Sequence, residues 1–189
     1  MRTTMIALAA LAIVPLVPSA YAQSYAMDRG VWTAGGSASL THYAFGLGNG
    51  ATSISLFPSV GYFFLPGFVV AATLQYAHSS GGDYSSTSTV FGAGPRLAYY
   101  FGSGSAKLHP YLAVAAFIGS ERQRIQGSTS SVGVWSWRGA GGIALLLARN
   151  VAVTGEAFFG QLHRDVPALV PAQNTDTFGL SFGLSLFLY

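Results

Sequence analysis

The chain has 189 residues, of which only 8% are charged while 24 are glycine, 13 phenylalanine and 10 tyrosine; ordinary soluble domains carry about 25% charged residues. No Asp, Glu, Lys or Arg occurs between Gly30 and Gly82, and a water-facing surface that bare would aggregate. The net charge of +3 shows no basic stripe of the kind nucleic acid requires, and the absence of cysteine excludes disulfides, thiolate metal sites and cysteine nucleophiles.

At the start of the chain, Met1-Arg2 is a short positive segment, Met5 to Val17 is apolar apart from Pro15, and Ala20 and Ala22 are the small residues of a cleavage site before Gln23. This pattern predicts a secretory signal peptide over residues 1–22, removed on export. A membrane anchor is the alternative, but the run is shorter than the roughly 20 residues that a spanning helix needs. Residues 23–189 then form one domain. The longest apolar run in it, Tyr62 to Leu74, is interrupted by Pro66-Gly67, so helices do not span. Strands of about 10 residues that alternate apolar and polar satisfy a bilayer instead, provided the sheet closes.

Eight segments fit that template. The first, Val31 to Tyr43, turns Trp32, Ala34, Gly36, Ala38 and Leu40 to one face and hydroxyls to the other. The second, Thr52 to Phe64, places Ile54, Leu56, Val60, Tyr62 and Phe64 outward. After the tight turn at Leu65-Pro66-Gly67, the third, Phe68 to His78, faces Leu74 and Tyr76 outward and Thr73 and Gln75 inward. The fourth, Thr87 to Phe101, faces Phe91, Leu97 and Tyr99 outward and Arg96 inward. The fifth, Pro110 to Ser120, is apolar on both faces, which leaves its register open. The sixth, Val134 to Leu147, sends Trp135, Trp137, Ile143 and Leu145 outward and Ser136 and Arg138 inward. A tight turn at Ala148 to Asn150 would set residue 147 opposite 151 and lead into the seventh, Val151 to Gln161, with Glu156 inward. The last, from Phe178 to Tyr189, alternates Phe178, Leu180, Phe182, Leu184, Leu186 and Leu188 with mostly small residues. The predicted outer loops are 44–51, 79–86, 121–132 and 162–176, and the inner turns are 65–67, 102–109 and 148–150. Long outer loops, short inner turns and aromatic residues gathered near both strand ends are barrel habits.

The stretches Pro58 to Tyr76, Phe91 to Gly102, His109 to Gly119 and Gly141 to Phe159 resemble successive hairpins of the bacterial outer-membrane β-barrel family, the small eight-stranded OmpA/OmpX-like group. The resemblance implies an all-β, up-and-down transmembrane barrel in the outer membrane of a Gram-negative bacterium. It also implies that Ser181, Gly183, Leu186, Leu188 and Tyr189 form the C-terminal signal read by the barrel-assembly machinery, with periplasmic chaperones as transient partners. An ordinary closing strand is the plainer reading of the same residues. The barrel is expected to be monomeric, surrounded by outer-membrane lipid and lipopolysaccharide, and to need no cofactor.

Function then rests on the interior and the loops. Eight strands enclose a lumen that side chains can fill, which disfavours a general porin. Arg96, Arg138 and Glu156 are the inward charges, with Gln75 nearby; buried charges need partners, so a bridge from Glu156 to one or both arginines is expected. It acts as a polar plug, or alternatively as a gate. His78 and Ser80 resemble the His-x-Ser pair of the outer-membrane lipid A deacylase family, which implies a serine hydrolase. That chemistry needs a base oriented by a carboxylate, whereas Gly81 stands where the family has asparagine, the fourth strand has no acid, and Asp83, in a glycine-serine loop, is the only local carboxylate. A surface adhesin acting through the outer loops is a third reading. Arg122, Arg124 and Arg164 form a predicted basic cluster at the outer rim that could meet lipopolysaccharide phosphates. His42, His109 and His163 are too scattered for a metal site.

Overall fold

The computed structural model describes residues 26–45, 49–81, 86–102, 106–125, 127–164 and 173–189. The leader with its Ala22–Gln23 junction lies outside the described residues, as does Asp83. All regular structure among the described residues is strand: β1 (Trp32–Phe45), β2 (Asn49–Leu65), β3 (Phe68–Gly81), β4 (Ser86–Tyr100), β5 (Leu108–Ile125), β6 (Ser128–Ala148), β7 (Val151–Arg164) and β8 (Gln173–Leu188). Each strand pairs antiparallel with the next, and β8 returns to β1, with Trp32 opposite Leu188 and Ala38 opposite Phe182. The sheet is therefore a closed barrel, and closure supplies the backbone partners that hydrocarbon cannot.

The period of two in the sequence becomes two faces. Leu74, Tyr76, Phe91, Leu97, Phe178 and Leu180 are among the exposed outward residues, while Phe63, Thr73, Ala98 and Phe187 are buried inside. Outward apolar residues run from Phe91 to Tyr99 on β4 and from Phe178 to Leu188 on β8. At about 3.4 Å per residue and a tilt near 40°, these runs make a band roughly 20–26 Å tall, the height of a hydrocarbon core. The structure also settles β5. Pro110, Leu112, Val114 and Ile118 face out, and His109, Tyr111, Ala115, Phe117 and Glu121 face in. Both of its faces read as apolar because Tyr111 and Phe117 are needed to fill the lumen.

The outer hairpins are longer than the sequence pattern predicts. The β5–β6 hairpin continues past the expected strand ends, with Arg122 opposite Ser131 and Arg124 opposite Thr129, and turns at Gly127 with φ +87°. Above the apolar band both faces of a strand can meet water, so alternation fades while pairing persists. At the inner end β6 and β7 keep the register in which Leu146 faces Ala152, but Ala148, not Leu147, pairs with Val151. Leu147 is the extra residue of a bulge, which tightens the turn.

The inner mouth is sealed by a segment that carries no alternation. Residues 26–30 fold under the barrel, where Gly67 N donates to Met27 O at 2.8 Å and Gly30 N to Phe63 O at 2.9 Å. Gly67 sits at φ +76° in the Pro66–Gly67 turn, a left-handed conformation in which glycine is free of strain. Met27 and Val31 pack with Phe63, Phe187 and Tyr111, and burying a ring such as Phe63 stabilises by about 2 kcal/mol. His109, predicted to stand alone, is buried in this floor with Nε2 at 2.8 Å from Ala106 O.

Candidate functional site

Arg96 on β4, Arg138 on β6 and Glu156 on β7 point into the lumen and meet. Arg96 Nη2 lies 3.0 Å from Glu156 Oε2, and Arg138 Nη2 lies 2.5 Å from Glu156 Oε1. The Glu156 side chain is 1% exposed, so both ion pairs sit away from water. Two residues that sequence reasoning missed complete its coordination: Tyr111 Oη donates to Oε2 at 2.9 Å and Ser181 Oγ to Oε1 at 2.9 Å. Ser181 also accepts from Arg138 Nη2 at 2.8 Å. A partial signal for Ser181 existed, since it lies on the inward face of β8 and pairs directly with Glu156. Tyr111 had none, because the face of β5 was open.

The cluster has an aromatic collar. The Arg138 guanidinium carbon lies 3.7 Å from the Phe158 ring centroid and 4.3 Å from that of Phe57, contacts that favour a desolvated cation. Gly142 makes room on the other side: a Cβ there would stand 2.8 Å from both Glu156 Cβ and Tyr111 Cζ. Two arginines against one glutamate leave the cluster with a formal charge of +1. Arg138 Nε and Nη1 are buried without a hydrogen-bond partner.

On the outer side of the cluster lies a cavity of about 320 Å³, edged by Ser39, Ser53, Ser79 and Ser136; Ser136 Oγ donates to Gln75 Oε1 at 3.1 Å. On the inner side a smaller cavity of about 40 Å³ lies beside Arg96, Tyr100 and Glu156. Higher in the lumen is an ion pair the sequence did not reveal, Arg164 Nε to Glu121 Oε2 at 2.5 Å, with Ser88 Oγ donating to Glu121 Oε1 at 2.7 Å. This corrects two expectations. Glu121 belongs to a strand rather than a loop, and Arg164 turns inward to it, so it does not join Arg122 and Arg124 in a basic cluster. Those two face outward and are exposed.

His78 and Ser80 share the outward face of β3. His78 Nδ1 lies 3.0 Å from Thr89 Oγ1, so a hydroxyl occupies the position in which a hydrolase would need a carboxylate. His163 stacks on Trp135, with ring centroids 3.9 Å apart, and its Nδ1 lies 2.7 Å from Asn174 Oδ1; the His42 side chain lies outside the described residues. Of the predicted assembly residues, Ser181 is buried in the cluster, Gly183 packs with no room for a Cβ against Gly36 O, Leu188 faces outward, and Tyr189 Oη donates to Arg149 O at 2.6 Å.

The family model described as outer membrane protein beta-barrel domain matches residues 6–186. No curated protein matches the chain. Among solved structures, the fold is similar to that of Neisserial surface protein A (18% identity, TM-score 0.59), covering 83% of this chain and 96% of that one. It is also similar to the outer membrane protein OprG from Pseudomonas aeruginosa (13% identity, TM-score 0.53), covering 88% of this chain and 100% of that one. The N-terminal barrel domain of Pseudomonas aeruginosa OprF has 12% identity and a TM-score of 0.50, with 85% of this chain and 98% of that one covered.

Proposed function

The chain belongs to the outer membrane protein β-barrel family, and from that premise we propose that it is a monomeric, non-enzymatic barrel with a structural and surface-interaction role. It resides in the outer membrane of a Gram-negative bacterium, within outer-membrane lipid. The observation that supports the reading is the layered filling of the lumen. The floor formed by Met27, Phe63 and Phe187 lies beneath the Arg96–Glu156–Arg138 cluster, and eight strands leave a bore that side chains occupy. Such a filling favours a rigid plug over a gate, because motion of any one charge would strand its partners in a low-dielectric interior. In planar bilayers the purified barrel is expected to give no sustained conducting steps. A stable open conductance of the wild-type protein would overturn the plug.

Hydrolysis has weaker support, because among the described residues the partner of His78 Nδ1 is the hydroxyl of Thr89 and no acid. The mass spectrum of lipid A should be the same with and without expression of the protein. Loss of an acyl chain that vanishes in Ser80→Ala and His78→Ala would replace this reading with an enzymatic one. Residues Ser181, Gly183, Leu186, Leu188 and Tyr189 serve on this view as the signal to the assembly machinery, and periplasmic chaperones deliver the unfolded chain to it.

A further inference from the structure

The outward face changes character along one line across β2 to β6. Leu56, Tyr76 and Phe91 pair side by side in one row of the sheet, and Ser120 of β5 ends that row. The next outward row toward the outer rim is Ile54, His78, Thr89, Arg122 and Ser131, and the one beyond holds Ser80, Thr87, Arg124 and Thr129. Ile54 keeps the row apolar on β2; on β4 to β6 hydrocarbon gives way to headgroups here, since Phe91 lies on one side of the line and Thr89, Arg122 and Ser131 on the other.

Arg122 and Arg124 are two residues apart on one strand, so they share a face about 7 Å from each other. Both are exposed. Among the described residues the ion pairs use Arg96, Arg138 and Arg164, and Glu121, the nearest carboxylate in sequence, points inward to Arg164. Among the described residues the outward patch therefore carries two cations with no acid to balance them, at headgroup depth and beside the hydroxyls of Thr89 and Ser131. Directly below it begins an apolar groove of about 600 Å³ on the membrane face. Tyr76 and Phe91 form its upper edge, Leu56 and Phe182 its walls, and Ala38 its base. It is a groove because β1 presents only Gly36 and Ala38 between the larger outward side chains of its neighbours.

We propose that this patch and groove together seat one phosphorylated lipid of the outer leaflet, of the lipid A class. Arg122 and Arg124 hold its phosphate, Thr89 and Ser131 donate to the phosphate or sugar oxygens, and one acyl chain lies in the groove over Ala38. The charge selects the occupant. A zwitterionic lipid neutralises its own phosphate, whereas lipid A carries phosphates without a cation of its own, and a guanidinium binds a phosphate through two parallel hydrogen bonds. The inference rests on the outer-membrane residence of the chain and not on the plug.

The test uses the exported chain refolded in phosphatidylcholine vesicles that contain a minor fraction of either bisphosphorylated lipid A or its dephosphorylated form, with co-purifying lipid counted by native mass spectrometry. The wild-type protein is expected to retain lipid A in preference to the dephosphorylated lipid. Arg122→Gln combined with Arg124→Gln should lower that preference at least about tenfold, the loss of one contact to a charged group. Arg122→Lys with Arg124→Lys, which keeps the charge and changes the packing least, should retain part of it. Ala38→Leu, which fills the groove and leaves the arginines in place, should weaken retention of both lipids. Equal retention of both lipids by the wild type, an unchanged preference in the Gln double variant, or displacement of lipid A by millimolar inorganic phosphate would each overturn the proposal. All variants should remain non-conducting in planar bilayers, so failure of the lipid seat and failure of the plug would be separately visible.

Discussion

Replacing Glu156 with alanine should be the most destabilising single change in the lumen, and the reason is charge balance. Glu156 accepts from Arg96, Arg138, Tyr111 and Ser181 at once, so its loss leaves two buried guanidinium groups with no anion and the cluster at +2. Breaking a buried ion pair by removing one partner costs about 3 to 5 kcal/mol. Removing Arg138 instead leaves a neutral Arg96–Glu156 pair, so the lost contacts with Phe57 and Phe158, about 1 kcal/mol each, and the two hydrogen bonds of Nη2 make up most of the expected cost. In double-mutant cycles the coupling of Glu156 to Arg138 should reach about 2 to 3 kcal/mol. That to Arg96 should be smaller, because the Arg96 side chain is 18% exposed against 9% for Arg138 and water offsets part of its loss. Urea unfolding of the refolded barrel in lipid vesicles measures both. Couplings below about 0.5 kcal/mol for both arginines, the range of exposed pairs, would mean that water screens the cluster and that it does not hold the barrel together.

Gly142→Ala should destabilise the barrel by about 1 to 3 kcal/mol, because the added methyl meets the Gly155 carbonyl oxygen as well as Glu156 and Tyr111; the same unfolding assay reads it, and an unchanged midpoint would show that β7 and the cluster can shift aside. Deleting Leu188 and Tyr189 should leave exported protein unassembled in the periplasm, measured by loss of heat-modifiable mobility in outer-membrane fractions, whereas normal assembly would remove the signal role of these residues. Swapping Glu121 and Arg164 should restore most of the stability lost on changing either residue alone, since the pair lies across the lumen from β5 to β7; no recovery would indicate that Ser88 and Gln123, which also bond Glu121, dominate that site.

The alternation of the strands was legible without a structure because it answers to a local rule. A strand in a bilayer has one face in hydrocarbon, and its outward residues must be apolar whatever its neighbours are. For that reason the eight strands, the inward positions of Arg96, Arg138 and Glu156, and the outward run from Phe178 to Leu188 could be read from Gln23 onward. The rule lapses where both faces meet the same surroundings. It lapses on β5, where Tyr111 and Phe117 fill the lumen and make the inward face as apolar as the outward one. It lapses again above the apolar band, where Glu121 and Arg164 read as loop residues although they lie on paired strands. Partnership across the lumen is a different kind of fact. Ser181 is the ladder partner of Glu156, but Tyr111 reaches Glu156, and Arg164 turns inward to Glu121 and away from Arg122 and Arg124, because the curvature of the sheet turns the inward faces of β5 and β7 toward each other across β6, bringing together residues 45 and 43 positions apart. The floor that residues 26–30 build under the barrel follows from the same closure. That segment has no periodicity to announce it, and its place is set by the apolar mouth that Phe63, Phe187 and Tyr111 would otherwise leave open.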